Sequence, residues 1–220
     1  MEFLQQLQLV DWSRFFGVAL GAYALGCLTT GYYLVRSRTG RDLRELGSGS
    51  VGARNAGRFL GVSGFLITLL CDFGKGVLVV WCTQYLTGDK QLSAVALLAA
   101  TVGHIWPLQL GLRGGKGVAT ALGGLAMYDL RLLFWLVCFF AVGLVIFRKS
   151  VVAGLVAFLF LPVIPLSILF QGGNQADLAD AVTTCVLAFL VLLAHRKNIS
   201  EELFKFSDSH SLESSPRTKL

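Results

Sequence analysis

Long apolar runs separated by short polar stretches constrain the fold of this chain more than any other feature. A helix of about 17–25 residues crosses the hydrocarbon core of a bilayer. Six near-continuous apolar runs reach or approach that length, at residues 15–35, 60–86, 91–112, 132–147, 151–170 and 179–194. A seventh run, at 117–128, is shorter and is predicted to form a short or tilted helix. With 55% hydrophobic and 15% charged residues, the chain is too apolar for an ordinary soluble domain. The pattern predicts an all-α integral membrane protein, a seven-helix transmembrane bundle, with six spans as the alternative.

The rest of the composition predicts one domain without a cofactor or a metal. The five cysteines lie inside apolar runs and form no CxxC pair, which is typical of reduced packing residues. Residues 1–205 are predicted to form a single transmembrane domain. Residues 206–220 are polar and rich in serine, and we expect this tail to be disordered.

The distribution of Lys and Arg among the loops predicts the orientation in the membrane. Cytoplasmic loops carry an excess of these residues. With seven segments, the loops after the first, third, fifth and seventh share one side, which holds twelve basic residues against three (Arg14, Lys90 and Arg131) on the other. The twelve are Arg36, Arg38, Arg41, Arg44, Arg54, Arg58, Arg113, Lys116, Arg148, Lys149, Arg196 and Lys197. We therefore predict an N-terminus outside, a cytoplasmic C-terminus and functional loops on the cytoplasmic face. The net charge of +6 then requires no nucleic acid partner.

The first cytoplasmic loop contains the run GSGSVGARNAGR at residues 47–58. Alternating glycines let backbone N–H groups converge on an anion. Ser48 and Asn55 add side-chain donors, and the guanidinium of Arg58 can bind a phosphate through two parallel hydrogen bonds. A flexible linker with topology-setting arginines is the alternative that the glycine content leaves open.

The second loop contains GLRGGKGVAT at residues 111–120. This loop leads into the short run at 117–128 through Gly114, Gly115, Lys116 and Gly117. Backbone amides at a helix N-terminus next to a lysine form a phosphate cradle. This is not a Walker A loop, because residue 110 is Leu where that motif requires Gly, and Gly117 follows the lysine where it requires Ser or Thr. The pattern predicts phosphate binding without ATP hydrolysis.

His104 precedes this loop in the sequence GHIWP, at residues 103–107. Pro107 is predicted to break the third span, which would leave His104 in a polar pocket instead of lipid. A buried histidine bonded to a carbonyl is the alternative, but ionisable residues inside a membrane usually have a function.

Two further groups of polar residues follow the helical repeat. His195 and Asn198 stand three residues apart in the sequence HRKNI, so they share a helix face if the last span continues for another turn; a plain basic membrane stop is the alternative. Asp72 and Lys75 are also three apart, within the second span. We interpret them as a structural ion pair that faces the bundle and lies too deep to touch a substrate held by the cytoplasmic loops, unless the protein admits water.

Taken together, these motifs resemble those of the bacterial acyl-phosphate–glycerol-3-phosphate acyltransferases, the PlsY type. The resemblance extends over about residues 15–200. The segments that carry it are GSGSVGARN with Arg58, the DFGKG of residues 72–76, the long segment from GHIWP to GGKGVATALG, and HRKNI. The segment from GHIWP to GGKGVATALG is the most specific of them.

The resemblance implies a function in phospholipid biosynthesis at the bacterial inner membrane. Enzymes of this type transfer a fatty acyl group from acyl phosphate to the 1-hydroxyl of glycerol 3-phosphate, which yields lysophosphatidic acid and phosphate. They require neither acyl-CoA nor acyl carrier protein. The expected partners are therefore acyl phosphate, glycerol 3-phosphate and membrane lipid.

The resemblance also assigns roles to residues of this chain. The catalytic residues would be His104, Lys116 and Arg58, with His104 as the candidate general base; a phosphate oxygen of a substrate is the alternative proton acceptor. The phosphate-binding residues would be Ser48, Asn55, Arg58, Gly114, Gly115, Lys116, Gly117, His195 and Asn198.

Several positions depart from the family pattern. The first motif has Ser50 where the family has Asn, and Arg54 where it has Thr, which adds a cation beside the expected phosphate site. The family's glutamate beyond HRKNI has no counterpart, because Ser207 stands there. The serine after the fifth span appears as Val151, next to Ser150. A divergent paralogue with another phosphorylated acceptor is therefore one alternative. A transporter for a phosphorylated metabolite is another, although the sequence shows no clear internal repeat.

Overall fold

The computed structural model describes residues 11–197 and 199–200, apart from the side chains of residues 175 and 176. Asn198 and the serine-rich tail at 206–220 lie outside this part of the chain. The fold is all-α, as predicted. In chain order its helices are α1 Trp12–Gly26, α2 Thr30–Thr39, α3 Ala53–Thr87, α4 Lys90–Ile105, α5 Val118–Tyr128, α6 Leu130–Phe147, α7 Ser150–Phe160, α8 Val163–Phe170 and α9 Gln175–Ala194.

Six helical stretches are long and apolar enough to cross a membrane by length and composition. They are Trp12–Thr39, Ala53–Thr87, Lys90–Leu110, Leu130–Phe147, Ser150–Phe170 and Asp177–Ala194. Five of them contain one of the predicted long runs, and Lys90–Leu110 covers the run at 91–112 except for its last two residues. The short helix expected at 117–128 is α5, whose 11 residues extend for only about 16 Å. Seven crossing segments and the orientation in the membrane remain predictions.

Several of the long stretches are interrupted where the sequence disfavours a helix. Residues 27–29 separate α1 from α2. Within α3, Gly61 has φ +69° and ψ −160°, a conformation that glycine adopts far more readily than other residues. Pro162 follows the end of α7, and α4 ends at Ile105, two residues before Pro107, because a helix usually ends before a proline. The predicted break of the third span is thereby confirmed.

Glycines bring α3 and α5 into direct backbone contact. A Cβ atom on Gly76 would overlap the carbonyl oxygen of Thr120, and one on Gly123 would overlap the carbonyl oxygen of Phe73. Small residues at such contacts allow the close van der Waals packing that associates helices in membranes. Beside this contact, the core is filled by buried side chains of α3, α4, α5 and α9, including Val80, Leu97, Leu125 and Leu187.

The substitution Gly76→Ala is expected to destabilise the bundle by about 1–3 kcal/mol, because the added methyl group overpacks the contact between α3 and α5. The melting temperature of the purified protein in detergent measures this effect. Gly74→Ala is the matched control, since a Cβ atom at Gly74 meets nothing within 4 Å. Equal melting temperatures for the two variants would contradict the close contact at Gly76.

A group of charged residues holds the opposite end of the bundle from the glycine-rich loops. The Lys90 ammonium lies 2.7 Å from Asp180 Oδ1 and 3.9 Å from Asp129 Oδ2. The Tyr128 hydroxyl donates to Asp180 Oδ1 at 2.8 Å, and Arg131 pairs with Asp129 at 2.7 Å. We call these five residues the anchor cluster. It ties the starts of α4, α6 and α9 to the end of α5.

Candidate active site

A cavity of about 440 Å³ opens among the helices that carry the predicted site residues. This volume lies in the range of small-ligand sites. The polar part of its lining comes mainly from loops and helix ends: Ser48, Ser50, Arg54, Asn55, Arg58, Lys116, Ser150 and His195. The apolar part comes from α3, α5, α6, α7 and α9: Phe65, Leu69, Leu122, Leu136, Val137, Phe140, Val151, Leu155, Phe158 and Val191. The cavity therefore combines an anion-binding region with space for a hydrocarbon chain.

Asn55 holds the first glycine-rich loop in its folded shape. Its side-chain oxygen accepts a hydrogen bond from the Ser48 amide at 3.1 Å, and its Nδ2 donates to the carbonyls of Leu46 and Ser50, both at 2.9 Å. The side chain is 2% exposed. Its polar atoms are thus engaged within the loop, so Asn55 positions the loop, and its role as a direct phosphate ligand stays a prediction.

Arg44 joins the first loop to the second. Its Nη1 donates to the carbonyl of Leu110 at 2.7 Å, while Nη2 pairs with Asp42 at 2.6 Å. Hydrogen bonds from this guanidinium lower the pKa of the Asp42 carboxyl below its usual value. The sequence analysis treated Arg44 only as a topology signal, whereas the structure gives it a definite contact between the two loops.

The GGKG loop folds back on the end of α4. The Gly114 amide donates to the Ile105 carbonyl at 3.1 Å, and the Gly115 amide donates to the His104 carbonyl at 2.9 Å. A Cβ atom on Gly115 would overlap Nε2 of His104, so only glycine fits against the imidazole. The amides of Gly114 and Gly115 are engaged inside the protein, and their role in binding phosphate stays a prediction that this arrangement does not favour. Gly117, by contrast, does line the cavity.

Lys75 lies at the centre of a buried polar cluster. Its ammonium donates to the carbonyls of Gly26 and Leu28 at 2.9 and 2.8 Å and contacts Nδ1 of His104 at 2.8 Å. Asp72 Oδ1 lies 3.0 Å from the same nitrogen. The predicted ion pair is present, and because Asp72 also lines the cavity, the pair lies next to the candidate site.

These contacts determine which nitrogen of His104 carries the proton. An ammonium group has no lone pair, so Lys75 donates and Nδ1 of His104 accepts. A neutral imidazole with an unprotonated Nδ1 carries its hydrogen on Nε2. Nε2 then has no lone pair with which to take a proton from a substrate. Of the two predicted proton acceptors, this arrangement favours a substrate phosphate oxygen over His104, and both stay predictions.

His195 has the opposite tautomer. Its Nδ1 lies 2.8 Å from the carbonyl oxygen of Val191, and a carbonyl only accepts, so Nδ1 carries the hydrogen. Nε2 keeps its lone pair. Burial, and then the nearby charges of Lys116 and Arg54, lower the pKa of His195 to about 4. His195 is thus neutral at pH 7 and presents an acceptor.

We expect His195 to titrate near pH 4 in the folded protein, as measured by ¹⁵N NMR with labelled histidine. Only three histidines occur in the sequence, and His210→Gln removes the signal of the third. Because the folded pKa is depressed, the neutral form contributes stability above about pH 6.5, the unfolded value. That contribution is lost as the pH falls from there to about 4. A His195 signal that titrates at its ordinary pH would contradict the buried tautomer.

The structure thus brings most of the predicted site residues together. The residues that line the cavity are Ser48, Asn55, Arg58, His104, Lys116, Gly117 and His195. Gly114 and Gly115 instead bind the second loop to the end of α4. What the sequence analysis missed is the apolar lining from α6 and α7 and the link from Lys75 to His104. The spacing of Asp72 and Lys75 in the DFGKG segment indicated an ion pair, but nothing in the sequence pairs Lys75 with His104 of α4.

Comparisons with known proteins agree on one family. A sequence model of the glycerol-3-phosphate acyltransferases matches residues 16–205. Glycerol-3-phosphate acyltransferase 1 of Desulfitobacterium hafniense is 46% identical over 188 residues, which cover 86% of this chain and 90% of that protein. The glycerol-3-phosphate acyltransferase of Halalkalibacterium halodurans is 36% identical over 188 residues, with 84% and 90% covered.

Two solved structures are also similar to this chain. They are crystal structures of PlsY, an integral membrane glycerol 3-phosphate acyltransferase. Its glycerol 3-phosphate form has a TM-score of 0.75 at 29% identity, and its lysophosphatidic acid form has a TM-score of 0.71 at 27% identity. Each comparison covers 87% of this chain and 92% of the other.

Proposed function

Because this chain belongs to the glycerol-3-phosphate acyltransferase family, we propose that it transfers a fatty acyl group from acyl phosphate to the 1-hydroxyl of glycerol 3-phosphate. The products are lysophosphatidic acid and inorganic phosphate. The chain is a multi-pass integral membrane protein, and we assign it to the bacterial inner membrane with the cavity facing the cytoplasm.

The observation that carries this proposal is the division of one cavity into a cationic and an apolar region. Arg54, Arg58 and Lys116 line it together, and Asp72 is the only carboxylate among the described lining residues. Two phosphorylated substrates repel each other, and cations between them offset that repulsion. The apolar lining suits the acyl chain of the donor. A cavity with both regions supports acyl transfer between two phosphorylated molecules better than binding of either one alone.

The chemistry follows from the protonation states of the two histidines. In the proposed arrangement, Ser48, Arg58 and Lys116 hold phosphate oxygens. Neutral His195 presents an acceptor, so it suits a hydroxyl of glycerol 3-phosphate better than a phosphate oxygen. Acyl phosphate is already activated, so no covalent acyl-enzyme is needed, and the alignment of the two substrates can supply much of the rate.

The proposal is tested with the purified protein in detergent, supplied with acyl phosphate and glycerol 3-phosphate. We expect lysophosphatidic acid and phosphate to appear in equal amounts and only when both substrates are present. Omission of each substrate in turn is the control. Acyl transfer from acyl-CoA without transfer from acyl phosphate would overturn the choice of donor, and uptake of a phosphorylated solute into liposomes without transfer would overturn the enzyme assignment.

A further inference from the structure

We propose that Arg54, together with Ser150, binds the phosphate group of the acyl donor and makes this enzyme selective for the donor's charge. This inference rests on the proposed function. Arg54 is also the position at which the first motif departs from its family pattern by a change from a neutral residue to a cation.

The contact between Arg54 and Ser150 connects two helices across the cavity. Arg54 lies in the first turn of α3, and Ser150 is the first residue of α7. Arg54 Nη2 donates to Ser150 Oγ at 2.8 Å, and both residues line the cavity. This bond uses one of the five N–H groups of a guanidinium, so Arg54 retains donors for a phosphate. The Ser150 hydroxyl keeps its own hydrogen to donate.

The position of this pair relative to the apolar lining identifies which substrate it faces. The residues that follow Ser150 on α7 include Val151, Leu155 and Phe158, and all three belong to the apolar lining. In acyl phosphate the phosphate group is covalently attached to the carbonyl end of the chain. A chain that lies along α7 therefore places its phosphate at the start of that helix, beside Arg54 and Ser150.

The lining offers separate cations for the second substrate. Arg58 lies one helical turn beyond Arg54 on α3, and Lys116 comes from the second loop. Arg54 and Lys116 both depress the pKa of His195, and all three residues line the cavity, so both cations lie near a neutral acceptor. We assign Arg58 and Lys116 to glycerol 3-phosphate and Arg54 to the donor.

Arg54 would contribute both to donor binding and to the departure of phosphate. The hydroxyl oxygen of glycerol 3-phosphate attacks the acyl carbon and forms the ester bond. The bond from that carbon to the phosphate oxygen breaks, and its electron pair stays with the phosphate. The hydroxyl proton ends on a phosphate oxygen, so atoms and charge balance. A guanidinium beside the departing oxygen stabilises the charge that develops there.

The test compares the Michaelis constants of both substrates in the variants Arg54→Gln and Arg54→Lys. We expect Arg54→Gln to raise KM for acyl phosphate by about tenfold, as for the loss of a charge-assisted hydrogen bond at a partly exposed site. KM for glycerol 3-phosphate should change less than twofold, and inhibition by inorganic phosphate should weaken. Arg54→Lys should recover part of the affinity, and Ser150→Ala should raise the same KM by a smaller factor.

Arg38→Gln is the matched control, because Arg38 is an exposed arginine outside the cavity lining. If it raises KM for acyl phosphate as much as Arg54→Gln, the effect is one of overall charge and the inference fails. A rise in KM for glycerol 3-phosphate alone, or no change in either constant, would also overturn it while the proposed function stands. Absence of transfer by the wild-type protein would overturn both.

Discussion

Replacing Lys116 with alanine is expected to reduce turnover of acyl phosphate and glycerol 3-phosphate by about a hundredfold or more, and replacing Arg58 should do the same. Removal of one preorganised donor at a site of developing charge typically has an effect of that order. Both side chains line the polar part of the cavity, where two phosphate groups must lie side by side. Release of phosphate by the purified variants measures the loss.

A folding defect must be separated from this loss of activity. The melting temperatures of both variants in detergent should stay close to that of the wild type. Arg113→Ala serves as the control, because Arg113 is an exposed cation of the same loop that does not line the cavity. Wild-type rates in either the Lys116 or the Arg58 variant would show that the cationic region is not the site of transfer.

Replacing Lys75 with methionine is expected to destabilise the protein by about 3–5 kcal/mol, because the loss of one partner leaves the other as an uncompensated buried charge. Asp72 is 1% exposed, and the variant removes the ammonium that lies 3.0 Å from its carboxylate. The carbonyls of Gly26, at the end of α1, and of Leu28, in the break before α2, would lose their donor in the same step. The melting temperature in detergent should fall steeply, and the ¹⁵N spectrum of His104 should no longer show a single tautomer.

The double substitution Lys75→Met with Asp72→Asn separates charge from packing. It removes the unpaired carboxylate while it keeps the volume of the side chain. We expect it to recover a good part of the lost stability, since replacing a buried pair as a whole is often close to neutral. A double variant that is no more stable than Lys75→Met alone would contradict the charge-pair explanation.

The parts of the fold that depend on local sequence were predictable. The lengths of the apolar runs predicted the six long helical stretches and the short α5. Pro107 predicted the end of α4. The motifs also indicated which loops meet, because Ser48, Arg58, Lys116 and His195 all line one cavity. Each of these inferences uses a physical property of neighbouring residues: length in a bilayer, loss of an N–H group, or the anion affinity of a loop.

The remaining features depend on pairings that no local pattern specifies. Lys75 and His104 are 29 residues apart, and their contact follows from how α3 packs against α4. The direction of the Gly114 and Gly115 amides depends on the peptide planes of a folded loop. A GGKG sequence is equally compatible with amides that face a ligand and amides that face the protein. The tautomers of His104 and His195 follow in turn from these contacts.

The anchor cluster has a further consequence for how substrates enter the cavity and how products leave it. Lys90, Tyr128, Asp129, Arg131 and Asp180 bind the far ends of the helices together, and none of them lines the cavity. These contacts close the far end of the bundle, so in the proposed reaction we expect charged molecules to reach the cavity from the side of the loops. In the proposed reaction, inorganic phosphate then leaves the cavity on the same side on which glycerol 3-phosphate enters it. The acyl chain of lysophosphatidic acid favours the bilayer, whereas phosphate favours water, so in the proposed reaction the two products separate by their own solubility.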